Sequence, residues 1–203
     1  MDTDSALLAG LARDLDRTFE ALVLAHQDRV YSIACRFLGD VPEAEEVAQD
    51  AFVRAYRAMA GYDADRIQAL QLRPWLATIV LNLCRSRVTR RRRTEPNPLS
   101  LDLERPDGGT LPEPVADPAA MPGSVAERRE SDRHWARLIL TLPPIYRGPV
   151  VLRHVDGLSY PEVALALDRP EGTVKAQVHR GLALLRTAFE AAEQREREEV
   201  MTA

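Results

Sequence analysis

Between residues 94 and 132 the chain holds seven of its 14 prolines: Pro96, Pro98, Pro106, Pro112, Pro114, Pro118 and Pro122. Proline removes a backbone donor and breaks helices and ladders alike, and Asp107-Gly108-Gly109 adds a further break. The same stretch carries three basic and nine acidic side chains, a net charge of −6. Like charges repel, so the segment reads as an extended acidic linker. A chain of 203 residues cut in this way is expected to form two small domains, residues 1–93 and 133–190, followed by a charged tail at 191–203.

The composition, 45% hydrophobic and 29% charged, suits a globular chain. No apolar run approaches the roughly 20 residues that span a bilayer. The start, Met1-Asp2-Thr3-Asp4, is acidic where a secretory leader is basic. No membrane insertion is expected, and the cytoplasm is the expected location. Two cysteines, Cys35 and Cys84, are too few for a disulfide framework. No Cys/His cluster has zinc spacing, so neither a metal nor another cofactor is expected. His26, His134, His154 and His179 are scattered, and no glycine-rich phosphate loop occurs, so the chain is not expected to be an enzyme.

The first domain reads as all helix. Phe19, Leu22, Val23, His26, Val30, Ile33, Ala34 and Phe37 recur at three- and four-residue steps and stop at Gly39. A second helix follows Pro42, with Ala44, Val47, Ala48, Ala51, Phe52, Ala55, Tyr56 and Met59 on one face. A third begins at Pro74 and buries Trp75, Leu76, Ile79, Val80 and Leu83. It leads into Arg85, Arg87 and Arg90-Arg91-Arg92-Arg93, which is either a solvated face or a footprint for phosphates.

The second domain carries the clearer pattern. Helices are expected around 135–142 and 146–154. Then Ser159-Tyr160-Pro161-Glu162 forms a capping box, with Leu158 and Val163 placed as a hydrophobic staple. That helix ends near Asp168, and another starts near Thr173. Its Val174, Val178, Leu182, Leu185 and Phe189 fall within about 80° of one another at about 100° per residue, centred near 40° from Val174. A short capped helix, a tight turn and a longer helix make the helix-turn-helix plan. Thr173, Ala176, His179 and Arg180 point outward, flanked by Lys175 and Gln177. Recognition helices present such N-terminal residues to base edges in the major groove. Lys and Arg donate to guanine, and Gln bonds adenine twice.

Five stretches, in this order and at these spacings, resemble the extracytoplasmic-function (ECF) sigma factors of the bacterial sigma-70 family. They are Val30-Tyr31-Ser32-Ile33-Ala34 with Leu38-Gly39-Asp40; Glu43 through Tyr56; Arg73-Pro74-Trp75-Leu76-Ala77-Thr78-Ile79 with Asn82; Gly157 through Ala164; and Gly172-Thr173-Val174-Lys175 with His179-Arg180. The resemblance implies an all-α protein that binds core RNA polymerase, opens the −10 promoter element with its N-terminal domain and reads the −35 element as duplex with its C-terminal domain. It also implies an anti-sigma factor as a protein partner.

The resemblance assigns polymerase binding to the helix from Glu46 to Met59, with Glu46, Gln49, Asp50, Phe52 and Arg54 as contacts. Core packing is the competing reading for Phe52 and Tyr56, and a same-helix ion pair that for Asp50 and Arg54. Capture of opened bases calls for cations and aromatic platforms. Tyr62, Arg66, Arg73, Trp75, Asn82 and Arg85 are the −10 candidates, although Trp75 also suits the core. Ser86 stands where relatives often have an acidic side chain, and Ala176 lacks a hydroxyl that relatives often carry. Thr173, Lys175, Ala176, Gln177, His179 and Arg180 are the −35 candidates.

As a coil, the linker would span about 35 Å, and stretched it would reach on the order of 130 Å. Two elements about two helical turns apart lie roughly 70 Å from each other. With a net charge of −4 the whole chain is acidic, so the free protein should bind DNA weakly and gain its grip only on the polymerase. The competing function is a helix-turn-helix regulator that needs no polymerase, which leaves residues 1–93 without a task.

Overall fold

The computed structural model describes residues 3–94 and 135–202, so the expected acidic linker lies outside the described residues. The first helical set comprises α1 (Thr3–Arg13), α2 (Leu15–Leu38), α3 (Val41–Met59), α4 (Ala64–Gln68) and α5 (Leu72–Thr94). The second comprises α6 (135–141), α7 (Pro144–Val150) running into a π-helical turn at Val151–Val155, α8 (Tyr160–Leu167) and α9 (Glu171–Thr202). Among the described residues there is no strand, and the fold is all-α. The tail expected at 191–203 continues α9 as helix through Thr202.

Aspartates start three helices of the first set. The carboxylates of Asp14, Asp40 and Asp63 accept from the amides of Arg17, Glu43 and Arg66 at 3.1, 2.9 and 2.7 Å. Each such cap is worth about 1 kcal/mol. Gly39 ends α2 in the left-handed region at φ 72°, its N–H donating to Cys35 O. The periodic residues then close a core: Leu22, Val30, Ile33 and Phe37 of α2 meet Ala44, Val47, Ala51 and Met59 of α3 and Leu76, Val80 and Leu83 of α5. Trp75 and Ile79, expected inside, are half-buried at its margin. Cys35 and Cys84 are buried free thiols. Burial pushes Cys84 up to about 12 and raises Cys35 as well, so both favour the thiol form near neutral pH.

Two elements escape the periodicity. Helix α1 lies across α2 and α4, burying Leu8 and Leu11 and tying Asp4 to His26 at 3.3 Å. Helix α4 is a five-residue turn that buries Ile67. Tyr56, placed on the buried face by its spacing, is 37% exposed. Its hydroxyl donates to the Asp16 carboxylate at 2.5 Å, and its ring meets Phe19 edge-on at 5.1 Å. A polar handle with a partner on α2 keeps it at the rim.

In the second set, Pro149 sits inside α7, and the backbone widens into the π turn before Gly157 reverses it at φ 73°. The capping box forms as its spacing requires. The Ser159 amide and hydroxyl donate to the Glu162 carboxylate at 2.7 and 2.6 Å, and the Glu162 amide donates to Ser159 Oγ at 3.4 Å. Leu158 and Val163 are fully buried as the staple. Asp168, at φ 51°, turns the chain into α9.

The buried stripe of α9 differs from its expected position. Val174, Val178 and Leu185 are buried, but so are Gln177 and Gly181, while Leu182 is 39% exposed. The stripe is therefore rotated by about 40° from the expected centre at about 100° per residue. Gly181 gives the reason. A Cβ there would stand 2.6 Å from Val150 Cγ2 and 3.4 Å from Tyr146 Cβ. The missing side chain lets α9 press its Gly181 side onto α7, which draws Gln177 in and turns Leu182 out.

The two sets pack on each other. The Arg147 guanidinium donates to Phe37 O at 2.5 Å, and Phe37 lies against Gly148. Thr78 Oγ1 on α5 donates to Ala166 O on α8 at 3.1 Å. Leu140 abuts Gly39, where a Cβ would stand 2.6 Å from its Cδ1.

Candidate functional site

Three surfaces bear the candidate residues. On α3, Glu46, Gln49, Asp50 and Arg54 are exposed on one outer face, while Phe52 is 9% exposed and packs in the core. Phe52 thus supports this face from within, as its competing reading anticipated. Asp50 is paired across helices: Arg87 of α5 donates to Glu46 at 2.7 Å and to Asp50 at 3.3 Å. One turn on, Arg91 donates to Glu43 at 3.0 Å and to Asp40 at 3.1 Å. Two arginines of the basic run therefore bind α5 to α3. Sequence reading treated that run as one surface and missed this use. The signal was available, because Arg87 and Arg91 stand four apart and Asp40, Glu43, Glu46 and Asp50 recur at three- and four-residue steps. The side chains of Arg92 and Arg93 lie outside the described residues.

The second surface surrounds the corner between α3 and α5. The Arg66 guanidinium carbon lies 3.8 Å above the Tyr62 ring, and Tyr62 meets Trp75 edge-on at 6.4 Å between centroids. The capped turn of α4 holds Arg66 there, and Trp75 sits in the first turn of α5, which begins at Leu72, two residues before the expected start at Pro74. Three of the six −10 candidates thus form one cationic aromatic cluster. Asn82 and Arg85 form a second pair along α5, where Arg85 Nη1 donates to Asn82 Oδ1 at 3.3 Å. Burial, with Arg169 nearby, pulls Arg85 below its usual value. Ser86 donates to the Asn82 carbonyl at 2.9 Å, satisfying itself on the helix. Arg73 stands apart from both groups. It donates to the backbone oxygen of Asp156 at 2.8 Å, on the second helical set.

The third surface is the N-terminal half of α9. Thr173, Lys175, Ala176, His179 and Arg180 are exposed. Lys175 lies 2.7 Å from the Glu171 carboxylate and 5.6 Å from the centre of the Tyr160 ring, and the Glu171 pair raises its affinity for a proton. Gln177 departs from the expected flank. It is 9% exposed, and its Oε1 accepts from Arg169 at 2.8 Å. The rotation of the stripe explains that difference, and Arg169 at the turn is the partner that sequence reading missed. Arg153 braces the turn before α8, donating to Leu158 O at 3.1 Å with its guanidinium 5.0 Å from the centre of the Tyr160 ring. Among the described residues no cluster of three or more potential metal ligands occurs, and no helix is long and apolar enough to cross a membrane.

Comparison with known proteins finds matches over both helical sets. The model of Sigma-70 region 2 matches residues 22–94, and that of Sigma-70, region 4 matches residues 134–185. The ECF RNA polymerase sigma factor SigW of Bacillus subtilis is 33% identical over 168 residues, which cover 83% of this chain and 87% of that protein. The ECF RNA polymerase sigma-E factor of Escherichia coli K12 is 31% identical over 183 residues, 88% of this chain and 90% of the relative. The solved structure of CnrH in complex with the cytosolic domain of CnrY aligns with a TM-score of 0.65 and 26% identity, over 94% of this chain and 99% of that one. A match to region 2 disfavours a regulator that works without polymerase. The chain belongs to the ECF sigma factors of the sigma-70 family and directs promoter-specific transcription.

Proposed function

We propose that this sigma factor divides its work between a domain at residues 1–93 and a domain at residues 133–190, joined by the acidic linker. The exposed face of Glu46, Gln49, Asp50 and Arg54, held up by Phe52, docks on core RNA polymerase. The cluster of Tyr62, Arg66 and Trp75, with Asn82, Arg85 and Arg73, captures the opened −10 element. Aromatic rings beside cations suit that task, since each stacked base contributes about 1–3 kcal/mol. Thr173, Lys175, Ala176, His179 and Arg180 read the −35 element from the major groove, with Gln177 positioning the helix from its buried side.

The observation that carries this reading is the exposed polar row on α9, which follows the capped helix α8 and one tight turn. RNA synthesis belongs to the polymerase, and the chain itself has no catalytic step. It works in the cytoplasm, where the polymerase is, and an anti-sigma partner is its inhibitor. Run-off transcription with purified core polymerase and a promoter library tests the reading. Defined start sites that appear only when the chain is added support it. Start sites identical with and without the chain would refute it.

A further inference from the structure

An ion pair joins the two helical sets. Asp156 follows the π turn after α7, and its carboxylate is only 2% exposed. Arg29, in the middle of α2, grips it with two nitrogens: Nε, and Nη2 at 2.5 Å. The same Nη2 reaches Arg73 O at 3.3 Å, and Arg73 in turn donates to Asp156 O at 2.8 Å. Arg29, Arg73 and Asp156 therefore form a closed ring of contacts across the boundary, 127 positions apart in the chain for the ion pair. Beside it, Thr78 holds Ala166 O, and Arg147 holds Phe37 O.

We infer that Arg29, Arg73 and Asp156 are an interdomain latch that keeps the free chain closed and must part before it can work on a promoter. The inference rests on the functional reading above in one respect, that Arg73 belongs to the −10 surface. In the closed form the Arg73 guanidinium is turned to Asp156 instead. Geometry gives the same answer independently. Domains in direct contact cannot sit on two DNA elements roughly 70 Å apart. The latch is specific, because a bidentate Arg–carboxylate pair fixes orientation as well as distance. It is also breakable. Arg29 keeps 16% of its side chain exposed, so water and a competing surface can reach it. A sigma factor in this state carries a penalty on every productive encounter, since apparent affinity scales with the fraction of chains that are open.

The test uses the full chain with Asp156→Ala and, separately, Arg29→Ala. Each removes one side of the ion pair, so a folding defect in one set does not hide the result. Small-angle X-ray scattering of the free chain reads closure without polymerase or DNA. A compact body of this length has a radius of gyration of about 17 Å, whereas domains parted by the linker's span exceed about 25 Å. Wild type should lie near the first figure, and Arg29→Ala should raise it by at least about 3 Å. Circular dichroism confirms that each variant is folded. In run-off assays the core concentration at half-maximal transcript should fall about fivefold for Asp156→Ala, with the maximum unchanged. A wild-type chain that is already extended, or two folded variants as compact as wild type, would overturn the latch. If the scattering shifts as expected but no promoter-directed transcript forms with any of the three chains, the interdomain contact stands and the functional reading above falls.

Discussion

The basic run of α5 and the exposed N-terminal face of α9 both concentrate cations on one helix, yet they use them in opposite ways. On α5, Arg87 and Arg91 are matched by three carboxylates of α3 and that of its N-cap Asp40, and they hold two helices together. On α9, apolar packing, the capping box and Gly181 do the positioning, and Lys175 and Arg180 stay at the surface. A row of arginines is thus not by itself a nucleic-acid footprint. What distinguishes the two is whether a neighbouring helix offers carboxylates at matching spacing.

The largest expected effect lies on α9. Replacing both Lys175→Ala and Arg180→Ala should lower transcription from a −35-dependent promoter by between about fivefold and a hundredfold, as loss of a base contact costs about 1–3 kcal/mol. The same pair should leave urea stability nearly unchanged. Gly181→Val comes next. Its added side chain collides with Val150 and Tyr146, so urea denaturation should show a loss of about 1–3 kcal/mol. Unchanged stability there would mean that Gly181 does not set the approach of α9 to α7.

Smaller effects sharpen the contrast. Arg87→Ala should cost at most about 1 kcal/mol, because its partners Glu46 and Asp50 are largely exposed. It should weaken association with core polymerase while leaving −35 discrimination intact. Ser159→Ala removes the cap of α8 and should cost about 1 kcal/mol in the second domain. Least of all, pH should separate the two sets. Burial holds His26 below its ordinary 6.5, although Asp4 opposes this, so the unfolded chain binds the extra proton first. Stability of the first set should fall as pH drops through 6.5 towards that lowered value. Glu162 is held below its ordinary 4.5 by the Ser159 hydroxyl. Its contribution should persist through the first window and be lost only as pH falls beneath 4.5. Thermal melts of His26→Gln and Glu162→Gln, each flattened in its own window alone, would confirm the assignment.

Much of this was legible because the governing signals are local. Apolar spacing located α2, α3, α5 and α9, and Ser159 with Glu162 announced α8. Helix α4 was missed because five residues give no period, and α1 because its apolar residues Ala6, Leu7, Leu8, Ala9, Leu11 and Ala12 lie all round the helix and mark no single face. The π turn at Val151–Val155 follows Pro149 and carries no periodic signal of its own. Gln177 was misplaced by the rotation that Gly181 permits, since a helical wheel assumes that the widest apolar side chains mark the centre of burial. Nothing local could have paired Arg29 with Asp156. Likewise Tyr62, Arg66 and Trp75 were picked singly by residue type, and only the corner made by α4 brings them together.

The most direct trial of separate reading by two modules is a matrix of run-off reactions with core polymerase. Wild type, Lys175→Ala/Arg180→Ala and Tyr62→Ala/Trp75→Ala would each be tested on promoters altered at −35 only or at −10 only. The account predicts that the α9 pair loses sensitivity to the −35 change alone, while the aromatic pair loses sensitivity to the −10 change alone. If both variants respond to both changes as wild type does, or if core polymerase alone starts at the same sites, the division of labour is wrong.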